Sequence, residues 1–220
     1  MHIGLIGGIG PAATDFYYRQ LIKASAARAL DLELTIVHAD APTLLGNLDT
    51  DNVTAQVDIY LKLTKRLEAA GAECVVVTSI AGHFCIDAFA EASRLPIIDI
   101  TMALSQWLAE NGLVRVGILG TKTVMQSAMY GKLAPVEVLV PKGEGLDEVH
   151  EAYVTLAQSG QPTAALKAVF ERAGGALVKD GAQAVLLGGT DLNAIFDKAT
   201  APFPIIDCAG IHVEAIATKI

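Results

Sequence analysis

Leu95-Pro96-Ile97-Ile98-Asp99 returns later in the chain as Phe203-Pro204-Ile205-Ile206-Asp207. Working outward, two more blocks repeat in the same order. Gly71-Ala72-Glu73-Cys74-Val75-Val76-Val77 matches Gly181-Ala182-Gln183-Ala184-Val185-Leu186-Leu187. Gly4-Leu5-Ile6-Gly7 matches Gly117-Ile118-Leu119-Gly120, and in each copy a tyrosine (Tyr17, Tyr130) follows the last glycine at the same distance. Three blocks at nearly one offset imply two half-chains of one design. Each block is a short apolar run, and the runs alternate with longer segments of helical period. That alternation predicts a parallel sheet covered by helices in each half. The expected fold class is α/β, with two pseudo-symmetric domains, each a parallel sheet flanked by helices, and a ligand cleft between them. The first half takes residues 1–100, joined by a C-terminal helix at 209–220, and the second takes 101–208.

Composition supports this reading and removes others. Hydrophobic residues make up 52% of the 220 and charged residues 18%, enough for a well-buried core and too apolar for a disordered chain. The net charge is −8 with no basic run, which argues against nucleic acid or an anionic membrane face as partner. No apolar run reaches membrane-spanning length. The first strand is broken at once by Gly7-Gly8-Ile9-Gly10-Pro11, unlike a signal peptide. A cytoplasmic location is the expectation. Three cysteines without tight spacing (Cys74, Cys85, Cys208) do not suggest a disulfide framework or a metal site.

The elements follow from pattern. Strands are expected at His2 to Ile6, Leu32 to Val37, Val75 to Val77 and Ile97 to Ile98, then at Arg115 to Leu119, Val136 to Val140, Ala184 to Leu187 and Ile205 to Ile206. A helix starts at Pro11, and Asn52 caps another running to about Ala70. The Asp-, Gly- and Asn-rich stretch between Val37 and Asn52 reads as a loop. Helices are also expected near Phe84 to Ala92, Thr123 to Leu133, Leu146 to Ser159, Pro162 to Lys179 and Ile211 to Thr218.

Ligands of open α/β sheets bind outside the carboxyl ends of strands. Those ends carry Gly8 and Pro11 with their counterparts Thr121 and Thr123, then Thr78, Ser79 and His83 with their counterparts Thr190 and Asp191, and finally Asp99 and Asp207. Ser79, His83 and Asp191 are the candidate catalytic residues. Gly8, Pro11, Thr78, Thr121, Thr123 and Thr190 are the candidate substrate contacts. Each has a structural alternative: the threonines and aspartates as helix caps, His83 as a local backbone partner. Gly8-x-Gly10-x-x-Ala13 also fits a relaxed dinucleotide fingerprint, with Asp40 placed to meet a ribose. Pro11 removes an amide that a pyrophosphate would use, and the second half has threonine in that loop, so a small carboxylate fits better.

These residues resemble the aspartate/glutamate racemase superfamily over essentially the whole chain. Gly7-Gly8-Ile9-Gly10-Pro11-Ala12-Ala13-Thr14 with Phe16-Tyr17 looks like the aspartate racemase opening. Gly117 to Gly120 with Thr121 and Tyr130, and Pro204 to Asp207 with Ile211-His212, resemble the second-domain opening and the C-terminal end. The resemblance implies a site between two halves, each supplying one cysteine. One thiolate removes an α-proton and the opposite thiol returns a proton to the other face. It also implies that no cofactor is needed and that the protein is a homodimer.

The sequence departs from that pattern at both thiols. The family's Cys-Asn-Thr-Ala-His stands here as Ser79-Ile80-Ala81-Gly82-His83, and its Gly-Cys-Thr-Glu as Gly188-Gly189-Thr190-Asp191. Ser79 needs a partner base, and Gly189 can move no proton. The expectation is a racemase-like isomerase acting on a small amino acid or carboxylate, without cofactor, by altered chemistry. A small-carboxylate-binding pseudo-enzyme is the alternative, and a nucleotide-dependent oxidoreductase comes third.

Overall fold

The computed structural model describes residues 1–220, the side chain of Pro11 excepted. The chain divides into two compact units, Met1–Asp99 with His212–Ile220, and Ile100–Ile211.

The first unit is built on strands β1 (His2–Gly7), β2 (Glu33–His38) and β3 (Cys74–Val77), ordered β2-β1-β3 and all parallel. Its helices are α1 (Pro11–Ala27), α2 (Ala41–Asp49), α3 (Val53–Ala69) and α4 (Ile86–Ala92). The second unit contains α5 (Ile100–Glu110), β4 (Arg115–Gly120), α6 (Lys122–Gln126), β5 (Glu137–Leu139), α7 (Glu144–Ser159), α8 (Ala164–Lys179), β6 (Val185–Gly188) and β7 (Ile205–Asp207). Its sheet order is β5-β4-β6-β7, again all parallel. Helix α9 (Cys208–Ala217) begins in the second unit and ends in the first.

The repeated blocks do the same mechanical work twice. The Val75 N–H donates to the Pro96 carbonyl at 2.9 Å, and the Val185 N–H to the Pro204 carbonyl at 2.9 Å. In the second copy this grows into β7, while in the first it stays a single Val75–Ile97 bridge. Helices α3 and α8 end alike. Gly71 (φ +92°) and Gly181 (φ +105°) take the left-handed turn, and the Ala72 and Ala182 amides donate back to the Leu67 and Leu177 carbonyls. The same two leucines fill the room beside Gly4 and Gly117, where a Cβ would lie 2.8 Å and 2.9 Å from their side chains. Strand and covering helix are therefore fixed by one leucine facing one glycine in each unit.

Burial follows the apolar pattern. Every residue of β3 is buried, as expected of a parallel strand covered on both faces. Helix α3 turns Val57, Tyr60, Leu63 and Leu67 inward. Thr64 shares that face, and its hydroxyl donates to the Tyr60 carbonyl at 2.8 Å, which satisfies this buried polar group. Tyr60 and Phe89 pack at a ring-centroid distance of 5.2 Å. No helix among the described residues is long and apolar enough to cross a membrane.

Three expectations need correction. The stretch after β2 is not a loop: Asp40 caps α2, accepting from the Thr43 amide at 3.0 Å, and Pro42 sits in the first turn. The helix expected over Thr123 to Leu133 stops at Gln126, because Ala128, Met129 and Tyr130 all adopt positive φ, which is incompatible with a right-handed helix. The helix expected from Phe84 starts as a tighter 3₁₀ turn, Ala81–Cys85, and becomes α4 only at Ile86.

Helix α8 offers a paired stability test. Gly174 faces the buried Phe203, and a Cβ there would overlap the ring. Gly175 has nothing within 4 Å of the equivalent position. Gly174→Ala is expected to lower unfolding free energy by about 1–3 kcal/mol through overpacking. Gly175→Ala is expected to raise it by about 0.5–1 kcal/mol through helix propensity. Urea unfolding of both variants checks the pair, and equal effects at the two positions would contradict the packing described.

Candidate functional site

In the first unit the strand ends are packed tightly on themselves. The Gly7 carbonyl accepts from the Ala39 amide at 2.8 Å, and a Cβ on Gly8 would lie 2.6 Å from the Ala39 carbonyl oxygen. The close approach of two chain segments is thus enough to require glycine at position 8. Asp40, the acid that a nucleotide reading would offer to a ribose, is engaged as the α2 cap. The Thr43 hydroxyl and amide donate to it and hold its carboxyl below the usual range. Pro11 opens α1, and its side chain lies outside what the structure describes.

Thr78 follows β3 directly and is buried. Its hydroxyl lies 3.2 Å from both the Ile6 carbonyl and the Thr14 hydroxyl, so it ties β3 to β1 and α1. Ser79 is half-buried. The His83 ring is turned onto its carbonyl, not its hydroxyl, with Nδ1 donating at 2.7 Å. His83 therefore carries its proton on Nδ1 and keeps a lone pair on Nε2. That buried Nε2 has no hydrogen-bond partner among the described residues and lies 3.8 Å from an Asp99 carboxylate oxygen. Burial lowers the His83 pKa, while Asp99 and the Ser79 carbonyl oppose the shift.

A second histidine completes this cluster. His212 Nε2 donates to the Ile98 carbonyl at 2.8 Å, so its Nδ1 accepts from the Tyr17 hydroxyl, also at 2.8 Å. The two imidazoles meet edge to face with centroids 6.4 Å apart. Burial, then the neighbouring His83, pushes the His212 pKa down to about 3. His212 is thus fully buried and hydrogen-bonded at both ring nitrogens.

In the second unit the strand ends of β4 and β6 also approach closely, and a Cβ on Gly188 would lie 2.7 Å from the Leu119 carbonyl oxygen. Thr121 caps α6 through the Val124 amide at 3.4 Å, and Thr123 is exposed two residues further on. His150 of α7 accepts from the Lys122 amide at 3.1 Å. Thr190 is buried at the start of the 3₁₀ turn Thr190–Ala194. Asp207 accepts from the Asn193 side chain at 3.0 Å and the Gly210 amide at 2.9 Å, which makes it the cap of α9.

Asp191 has a partner that sequence reasoning missed. Tyr153, on α7, donates its hydroxyl to Asp191 Oδ2 at 2.9 Å. Burial first, then the Asp191 charge and hydrogen bond, raise the tyrosine pKa well above its ordinary value. A Cβ built on Gly189 would lie 2.2 Å from the Tyr153 hydroxyl oxygen and 2.3 Å from its ring edge, an overlap that neither side chain could keep. The only sequence signal was His150 and Tyr153 spaced one turn apart, which puts two polar side chains on one face of α7.

All three cysteines are free and buried. Burial raises the thiol pKa of each, that of Cys85 to about 12. Neutral, enclosed thiols are neither nucleophiles nor bases at neutral pH. Among the described residues no group of three or more His, Cys, Asp or Glu could hold a metal ion.

Two parallel sheets with matching glycine strand ends and 3₁₀ turns after β3 and β6 define a duplicated α/β protein. The chain belongs to the Asp/Glu/hydantoin racemase family, whose model matches residues 6–216. It is 22% identical to the broad-specificity amino-acid racemase RacX of Bacillus subtilis (strain 168), over 93% of this chain and 92% of that protein. An aspartate racemase homologue from Pyrococcus horikoshii OT3 is 25% identical, with a TM-score of 0.80 and 99% of each chain covered. A Yersinia pestis protein provisionally assigned as an Asp/Glu racemase shares the fold, with a TM-score of 0.88 at 24% identity over 100% of this chain and 99% of that one.

Proposed function

We propose that this protein moves a proton at the α-carbon of a small amino acid or related carboxylate, without a cofactor and without paired thiolates. Family membership and the racemase relatives support the reaction class. The observation that carries the altered chemistry is the state of the three cysteines, each buried and held neutral. Their place is taken by oxygen and nitrogen groups. Ser79 supplies a hydroxyl at the end of β3, with its carbonyl anchored by His83. Asp191 supplies a carboxylate just past β6. Thr78, Thr121, Thr123 and Thr190 remain the hydroxyls proposed to hold substrate oxygens, although Thr78 and Thr121 also serve the fold.

Solvent-deuterium exchange into the α-position of an amino-acid panel, read by mass spectrometry, tests this. Exchange is expected with at least one member and should survive iodoacetamide treatment of the native protein. Ser79→Ala is expected to slow it by about 100-fold. Loss of exchange on alkylation would return the chemistry to a cysteine. The full enclosure of His83, whose side chain has 0% exposure, favours a second reading as a carboxylate-binding protein without turnover. Saturable binding of a panel member with no exchange would select it.

A further inference from the structure

We propose that Tyr153 and Asp191 form a proton-relay pair that takes over, in the second unit, the place left empty by Gly189. The proposal deepens the proton-transfer reading above and rests on it. Its first support is steric. Gly189 stands where the resemblance puts the second cysteine, and the Tyr153 phenol fills the room that any side chain there would need. The ionisable hydroxyl at this strand end thus comes from α7 instead of the loop after β6. The second support is the hydrogen bond. The Tyr153 hydroxyl donates to Asp191 Oδ2 at 2.9 Å, so the pair holds one proton with a defined direction of transfer. The third is position. Asp191 opens the 3₁₀ turn together with Thr190, at the carboxyl end of a central parallel strand where ligands of such sheets bind.

The step balances within the pair. The substrate Cα–H bond breaks and its electron pair stays on the substrate, delocalised into the neighbouring carboxylate. The proton bonds to the Tyr153 hydroxyl oxygen as the phenolic proton passes to Asp191 Oδ2. Tyrosine is neutral before and after, which suits a phenol that burial and a neighbouring carboxylate keep from ionising. The reverse sequence delivers a proton to carbon, with the carboxylic acid of Asp191 restoring the phenol. Asp191 acts through the tyrosine, as the proton reservoir of the pair.

The test uses Tyr153→Phe, which keeps the ring, and Asp191→Asn, which keeps the shape of the acceptor. With the amino acid on which the wild type is most active, both variants are expected to lose at least about 100-fold in kcat for α-deuterium exchange, with KM changed by less than about threefold. A separate readout is ultraviolet titration of tyrosine. The difference between wild type and Tyr153→Phe is expected to show no phenolate signal up to about pH 10, and Asp191→Asn is expected to bring one in at lower pH. Exchange by folded Tyr153→Phe within about twofold of wild type would overturn the relay and leave the proton-transfer reading intact. A wild type inert toward the whole panel would overturn both. Ordinary ionisation of Tyr153 in the wild type would also overturn the relay, because the pair would then not exist in solution.

Discussion

Acidification from pH 6.5 to about pH 4.5 is expected to remove about 2 kcal/mol of unfolding free energy through His212 alone. The sign follows from its two states. In the unfolded chain the imidazole has its ordinary pKa of 6.5, while in the folded first unit it is held to about 3. Between those values the unfolded chain binds a proton that the folded one refuses, so stability is full above pH 6.5 and falls as pH drops. The cause is geometric: the Nδ1 lone pair that would take the proton already accepts from Tyr17, inside a site from which water is excluded. His83 has the same sign, because its pKa is also lowered by burial. Other carboxylates titrate in this range, so the informative quantity is a difference. His212→Gln should be less stable at pH 7 but should lose roughly one proton from the acid slope of stability. Identical slopes in wild type and variant, from urea unfolding across pH, would show that His212 is not held neutral.

Gly189→Ala is expected to cost about 3–5 kcal/mol, combining overpacking with loss of a charge-assisted hydrogen bond. The backbone itself accepts alanine, since Gly189 is extended at φ −164°, ψ 136°. The whole effect comes from the Tyr153 phenol, which occupies the position of the new methyl group and must leave Asp191 to make room. A double-mutant cycle isolates this. In a Tyr153→Ala background the same substitution should cost far less, with a coupling of about 2 kcal/mol or more. Additive effects would mean that the ring does not sit beside Gly189 in solution.

How far the sequence could be read depended on how local the determinant was. The duplicated PIID block named both sheets, because a buried parallel strand is a short apolar run and its neighbours are spaced alike. Asn52 was readable as a cap, and its side chain does accept from the Ala55 amide at 3.1 Å. Helix α2 was missed because Asp, Gly and Asn read as loop residues, although Asp40 followed by Pro42 was a start signal. The early end of α6 left no mark, since Ala128, Met129 and Tyr130 carry no intrinsic preference for positive φ. The absence of cysteine at positions 79 and 189 was legible. What stands in its place was not, because Tyr153 and Asp191 are 38 residues apart and meet only through the packing of α7 against the turn after β6. The same holds for Tyr17 and His212, separated by 195 residues.

The facing of Gly4 by Leu67 and Gly117 by Leu177 bears on how such a protein can change. Those contacts, with the glycine turns that close α3 and α8, set the spacing of helix and strand from within the layers. The groups at Ser79, Gly189 and Asp191 lie past the strand ends and take no part in them. The helix–strand spacing is thus set by residues other than these reactive groups, while Thr78 and Thr121 serve both fold and site. Reactive groups can be exchanged, or recruited from a neighbouring helix as Tyr153 is, while the architecture beneath stays as it was. Redesign of this scaffold for a new substrate should leave the glycine–leucine pairs alone and vary the turns after β3 and β6.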